Sequence, residues 1–299
     1  MINAYDYILK HPDTFKIFSV KDLLFVHYKC PQVEKQVKLW AHYNLISFTV
    51  SGKKTFYHGE KSWTITENSS FFVRKNAFKQ EVHAMVGWEI LGFYFRDDFL
   101  RQVFNEYKAY FSIKNLPPVP PDMLMEIKVN ETIRAFFYSI IPYFARKLPP
   151  PEGLLELKFK ELLFNIFNEP SNYGILSYAY SINDENKTPL WQIIESNYMY
   201  NLTIAEFARL ANRSATSFKK EFHEYYHTTP GKWLTNKRLE HARLLLKSSK
   251  KNISEIVYDC GFENISHFSR IFKEKYQLSP LQYRKTERVL SEINLVTKI

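Results

Sequence analysis

The chain has 299 residues, with 41 Lys+Arg against 31 Asp+Glu and a net charge of +10 at pH 7. That length suits two domains, each able to bury a core. Two cysteines, Cys30 and Cys260, exclude a disulfide framework or a cysteine-built zinc site, and no apolar run reaches the roughly 18 residues of a membrane span. Asp6, Lys10 and Asp13 interrupt the apolar N-terminal stretches, so no signal pattern is present and a cytoplasmic chain is expected, with no membrane partner.

From Leu23 to Phe95 the runs LLFVHY, LISFTV, KTFYH, SWTIT, SSFFVR and ILGFYF are rich in strand formers. Ser51, Gly52, Gly59, Glu60, Asn68 and Asn76 break them in the rhythm of short strands and tight turns. The pattern predicts an antiparallel β-barrel or sandwich reaching to about residue 115. Trp40, Trp63, Trp88 and the pairs Phe71 with Phe72 and Tyr94 with Phe95 either line a ligand pocket or fill the core.

Helical patterns follow over 123–168. The first, 123–147, carries Ile127, Ile133, Phe137 and Ile140 up to Pro142, where a proline kinks or stops a helix. Prolines at 149–151 make a stiff elbow. Leu155, Phe159, Leu162, Leu163, Ile166 and Phe167 then form an apolar stripe at helical spacing. Between Asn168 and Pro189 the Pro, Ser, Asn and Gly content marks a boundary, giving expected domains 1–182 and 183–299.

The last third repeats itself. Phe218, Phe222, Tyr226, Pro230 and Trp233 recur 50 positions later as Phe268, Phe272, Tyr276, Pro280 and Tyr283. Upstream the offset is 49, with Ile204 and Phe207 answered by Ile253 and Ile256. Each copy reads as helix, turn, helix: Thr203 and Ser214 cap the two helices of the first, Ser254 opens the second, and Asn212 and Gly261 take the turns. The second helix of each copy packs by one face and offers the other, as in DNA-binding helix-turn-helix units. Thr216, Lys219 and Lys220 flank Phe218; Ser266, His267 and Arg270 flank Phe268. All can donate hydrogen bonds to base edges or phosphates. For one such helix a solvated face is the ordinary reading, whereas two copies in register favour DNA. Residues 188–299 carry 18 Lys+Arg against 11 Asp+Glu, so most of the chain's net positive charge lies beside these helices.

The runs LTIAEFARLANRSATSFKKEF, TTPGKWLTNKRLEHARLLLKSS and ISEIVYDCGFENISHFSRIFKEKYQLSPLQYR resemble the DNA-binding domain of AraC/XylS-type transcription regulators, across about residues 190–286. Ile256, Gly261, Phe262, Phe268, Arg270, Phe272, Pro280, Tyr283 and Arg284 fall at that family's signature spacings. Val257 and Asn212 depart from it, but valine suits a buried site and asparagine tolerates the left-handed region. By resemblance Ala215 and Ile265 sit at the starts of the recognition helices, where Ile265 either touches a thymine methyl or packs inward. The stretch SGKKTFYHGEKSWTITENSSFFVRKN resembles the hairpins of the family's cupin-like barrel, and is similar to regulators of type III secretion genes, which answer to protein partners.

The resemblance implies a multidomain α and β protein. An N-terminal cupin-like antiparallel β-barrel with helices precedes an all-α domain with two helix-turn-helix units. It implies a sequence-specific regulator, by default an activator, with double-stranded DNA and RNA polymerase as partners and a small molecule or protein as effector. Helices near the apolar stripe often make the family's dimer, so Leu155, Phe159, Leu162, Leu163 and Ile166 are candidate dimerisation residues; packing on their own barrel is the alternative. The competing function is a cupin-type enzyme or sugar-binding module with an appended DNA-binding domain. A metal site would need histidines converging from one strand, yet His11, His27, His42, His58 and His83 form no pair one residue apart. No catalytic or metal-binding residue and no cofactor is therefore assigned.

Overall fold

A computed structural model of the chain describes residues 1–30, 35–83, 87–146, 149–183 and 189–287. The chain divides into two compact units, Met1–Pro189 and Leu190–Ile299.

The first unit is built on ten strands: β1 (Ile2–Asn3), β2 (Lys16–Val20), β3 (Leu23–Cys30), β4 (Lys35–Ala41), β5 (Asn44–His58), β6 (Lys61–Thr66), β7 (Ser70–Val73), β8 (Asn76–Val82), β9 (Trp88–Phe95) and β10 (Leu124–Ile127). They hydrogen-bond in the order β1-β4-β8-β5-β9-β3-β2, with β6 and β7 also on β5 and β10 on β7. Among the described residues every pairing is antiparallel except β1 with β4. The result is the expected cupin-like sheet, as a half-barrel whose path ends at β1 and β2 instead of closing.

β5 corrects one expectation. Ser51 and Gly52 read as a strand break, but the chain runs through them as one 15-residue strand. The register against β9 shifts between Thr49 and Ser51, which is a β-bulge. Gly52 sits there at φ +89°, and a Cβ would lie 1.8 Å from the Gly87 carbonyl oxygen, so only glycine fits. The bulge lets β5 serve both halves of the sheet.

Adjacent aromatics face opposite ways, as a pleated strand requires. Leu24, Val26, Leu45, Phe71 and Tyr94 fill the half-barrel with Phe56, Ile65 and Phe78. Phe25, Phe48, Phe72, Phe93 and Phe95 face the helices on the other side. Those helices are α2 (Asp97–Tyr107), α3 (Glu131–Ile140), α4 (Glu152–Asn168) and α5 (Tyr173–Ser181); α1 (Ala4–Lys10) lies between β1 and β2 in the chain. The helical pattern expected from residue 123 begins instead with β10. Its Leu124–Ile127 segment pairs with β7, and Asn130 caps α3 only afterwards. The helix gives way to a 3-10 turn at Ile141–Ala145, where Pro142 lies.

The candidate dimerisation residues of α4 lie in the interior of their own unit. Leu155 is 1% exposed, and Phe159, Leu162, Leu163 and Ile166 are fully buried within their own unit. Phe159 has its ring centroid 5.1 Å from that of Phe95 and 5.7 Å from that of Phe93. The stripe is spent on the sheet, leaving none of these side chains for a second copy.

The second unit is helical: α6 (Leu190–Asn197), α7 (Ile204–Leu210), α8 (Ala215–Tyr226), α9 (Pro230–Ser248), α10 (Ile253–Asp259) and α11 (Ile265–Tyr276), followed by a further helical stretch over residues 280–287.

Candidate nucleic-acid interface

The sequence duplication extends to the caps. Thr203 and Asn252 each close a capping box with the glutamate three residues on, Glu206 and Glu255. Asn252, not Ser254, therefore opens α10. Its amide oxygen and the Glu255 carboxylate satisfy amides that a serine two positions later would leave open. Asn212 and Gly261 take the turns at φ +55° and +82°. Arg213 N–H donates to the Ala208 carbonyl and Phe262 N–H to the Val257 carbonyl, at 2.9 and 3.0 Å. Ser214 and Asn264 then cap α8 and α11, which have 12 residues each. Both helices end in left-handed residues 50 positions apart, His227 and Gln277. The extra residue of the second copy lies between Phe262 and Asn264.

Each unit closes over aromatic rings. Phe218, Phe222, Phe268 and Phe272 are fully buried, as is Val257. Phe222 and Phe272 meet Trp233 and Tyr283 edge-on, with centroids 6.0 and 5.7 Å apart. Gly261 cannot be replaced: a Cβ would approach the Met199 carbonyl oxygen to 2.7 Å. Arg238 of α9 donates to the carbonyls of Tyr198 and Tyr200 at 2.7 and 2.8 Å, fixing the segment after α6 on the connecting helix. Burial pushes the neighbouring Cys260 thiol up to about 12, so it behaves as a small apolar group.

The opposite faces are open. Ala215, Thr216, Lys219 and Lys220 on α8 are exposed, as are Ser266, His267 and Arg270 on α11. Ile265 is 36% exposed at the first position of α11. The structure thus puts all eight candidate residues on two solvent-facing surfaces, each opposite a buried phenylalanine pair.

A further regularity was legible in the sequence but not drawn from it. Glu224 and Glu274, also 50 apart, stand one turn after Lys220 and Arg270. Arg270 Nη1 reaches Glu274 Oε1 at 2.8 Å, while Lys220 Nζ stays 3.9 Å from Glu224 Oε1. Both pairs are well exposed and weak. A phosphate or base edge can take over either cation, and the planar Arg270 fork suits bidentate contact better than the Lys220 ammonium.

Residues 207–286 match a helix-turn-helix domain family, and residues 44–178 match the ExsA N-terminal regulatory domain. The virulence regulon transcriptional activator VirF of Yersinia enterocolitica is 20% identical over 238 residues, spanning 80% of this chain and 88% of that protein. The HTH-type transcriptional regulator ExsA of Pseudomonas aeruginosa is 25% identical over 135 residues, 45% of this chain and 49% of that one. The solved structure of ToxT from Vibrio cholerae aligns over 88% of this chain and 98% of its own, at 17% identity and a TM-score of 0.40. With two capped helix-turn-helix units behind a regulatory half-barrel, the chain belongs to the AraC/XylS-type family of DNA-binding transcription regulators.

Proposed function

We propose that this regulator activates transcription in the cytoplasm by setting α8 and α11 into successive major grooves of one DNA duplex. The supporting observation is the pair of equivalent exposed faces on helices joined by α9. Lys219, Lys220 and Thr216 serve the first groove, with Ala215 at the helix start; Arg270, His267 and Ser266 serve the second, with Ile265 beside them against a thymine methyl. RNA polymerase is the partner through which bound regulator acts, and an effector on the half-barrel, small molecule or protein, sets its activity. A homodimer filling adjacent sites fits this reading through a surface other than the buried stripe of α4.

The enzyme reading draws no support from the half-barrel's histidines, each of which is engaged separately. His27 meets Glu89, His42 meets Asn3, His83 meets Thr55, and His11 and His58 bond to the carbonyls of Tyr7 and Ala77. Among the described residues no three metal-ligating side chains converge. Genome-wide mapping of bound DNA, with transcript levels in the presence and absence of the protein, tests the proposal. Discrete sites upstream of genes whose transcripts fall when the protein is removed are expected. Uniform binding, or stoichiometric bound iron, manganese or zinc in the purified protein, would contradict it.

A further inference from the structure

The two helix-turn-helix units differ at one matched pair of positions. Arg213 and Phe262 each follow the left-handed turn residue, and their N–H groups bond back to the equivalent carbonyls of Ala208 and Val257. On the helices that follow, Glu221 of α8 and Ile271 of α11 stand 50 positions apart. In the second unit the pair is apolar. Phe262 is buried with its ring centroid 5.1 Å from that of Phe268, and Ile271 packs against the same cluster. In the first unit it is ionic: Arg213 Nε and Nη2 donate to the two carboxylate oxygens of Glu221 at 2.5 and 2.7 Å, and Nη1 donates to the Ala211 carbonyl at 2.6 Å. The Arg213 side chain is 3% exposed, so its charge is held out of water.

Phe262 and Ile271 show that this fold does not need charge here, and a desolvated ion pair adds little stability over an apolar one. What it adds is direction. Apolar packing is non-directional, whereas a planar guanidinium meets a carboxylate in a fixed two-pronged geometry. Through Ala211 and Glu221 the one group joins the end of α7 to α8, which fixes the roll of α8 about its own axis. Lys219 and Lys220, just before Glu221, carry that roll to the exposed face. α11 has a different polar tie, from Lys275 to Glu240 of α9 at 3.1 Å. On α8 the place of Lys275 is taken by Tyr225, which is exposed and carries no charge.

We propose that Arg213 is a positioning residue that aims α8 through Glu221, and that base discrimination in the first groove depends on this clamp. The inference rests on the two-groove reading above. Discrimination by α11 is independent of the clamp.

The test is a titration of full-length protein, at one salt concentration, on the cognate site and on two altered sites, each with the bases of one protected patch scrambled. Arg270→Ala identifies the patch under α11 by weakening protection there. Wild type should lose at least about tenfold in affinity on either altered site. Arg213→Met combined with Glu221→Leu, an apolar pair of similar size, should melt no lower than wild type and keep its loss on the α11-scrambled site. Its loss on the α8-scrambled site should shrink to about twofold. Arg213→Lys, which keeps the charge without the fork, should shift the same way. Wild-type discrimination at the α8 patch in the double variant would overturn the inference, as would an equal decline at both patches or a melting point well below wild type, either of which makes the pair a support for the whole domain. A wild type that discriminates at one patch alone would instead remove the two-groove reading, and the inference with it.

Discussion

Arg270 is the side chain whose loss should be felt most directly on DNA. Arg270→Ala gives up only an exposed pair with Glu274 in the free protein, so folding should hardly change. Binding to a specific site should weaken by about 1–3 kcal/mol through the lost base edge or phosphate. Titration at fixed salt checks this, and wild-type affinity would remove Arg270 from the interface. Lys54 makes the residue-scale case in the other unit. Burial pushes its ammonium down to about 7 from the ordinary value of 10.5, so between pH 7 and that value the unfolded chain holds more protons and stability rises with pH. The gain from pH 7 to pH 9 should be about 2 kcal/mol. Denaturant unfolding of wild type and Lys54→Met at both pH values isolates it from the rest of the chain, because the methionine variant should lack that increment.

Single residues also set what the sequence could reveal. Thr216, Lys219, Lys220 and Arg270 were legible because two copies in register place them opposite buried rings. Lys54 was not, since a lysine in a strand normally reads as surface, and only the register of β5 turns it inward.

At the scale of elements, the sequence marked which segments are apolar better than what they meet. The stripe of α4 signals burial, and the partner proves to be Phe25, Phe93 and Phe95 of its own sheet. β4 and β8 escaped notice because KQVKLWA and NAFKQEV carry charges at close intervals, and α2 because it follows the strand run directly. Yet α2 holds a polar ladder at helical spacing. Asp97 Oδ1 accepts from Tyr178 OH at 3.0 Å, Arg101 donates to the Ile182 carbonyl at 3.0 Å, and Asn105 donates to Asn183 at 2.6 Å. All three contacts grip α5 and its end.

Asp97 is the buried root of that ladder, also taking Lys75 at 2.6 Å and Asn44 at 2.7 Å. Burial works to raise its pKa, but the Lys75 ammonium and the three hydrogen bonds hold it below the usual carboxylate range. Its stabilising effect is therefore present at neutral pH and lost as pH falls through that depressed value. Asp97→Ala strands Lys75 in the interior and should cost about 3–5 kcal/mol. Hydrogen exchange should quicken across α5 before it does in the sheet. Unchanged protection in α5 would show that the ladder does not hold it.

For the whole molecule, the decisive feature is that one helix carries both readers. α9 has 19 residues, about 28 Å of helix at 1.5 Å per residue, comparable to the roughly 34–36 Å repeat of B-DNA. Lys275 ties α11 to α9 through Glu240 at 3.1 Å, and Trp233 of α9 packs on Phe222 and Tyr226 of α8. Spacing between the readers is thus built into the domain. The excess of positive charge in residues 188–299 adds an attraction to phosphate that salt should weaken whatever the sequence.

The direct test is a titration, at one salt concentration, of the full-length protein on its cognate site and on the same site with five base pairs inserted between the two protected patches. Five pairs turn one patch by about half a helical turn, which α9 cannot follow and DNA bending recovers only in part. Two patches about one turn apart on the original site and a sharp fall in affinity for the inserted one are the expected result. Equal affinity for both sites would contradict two readers on a single rigid helix.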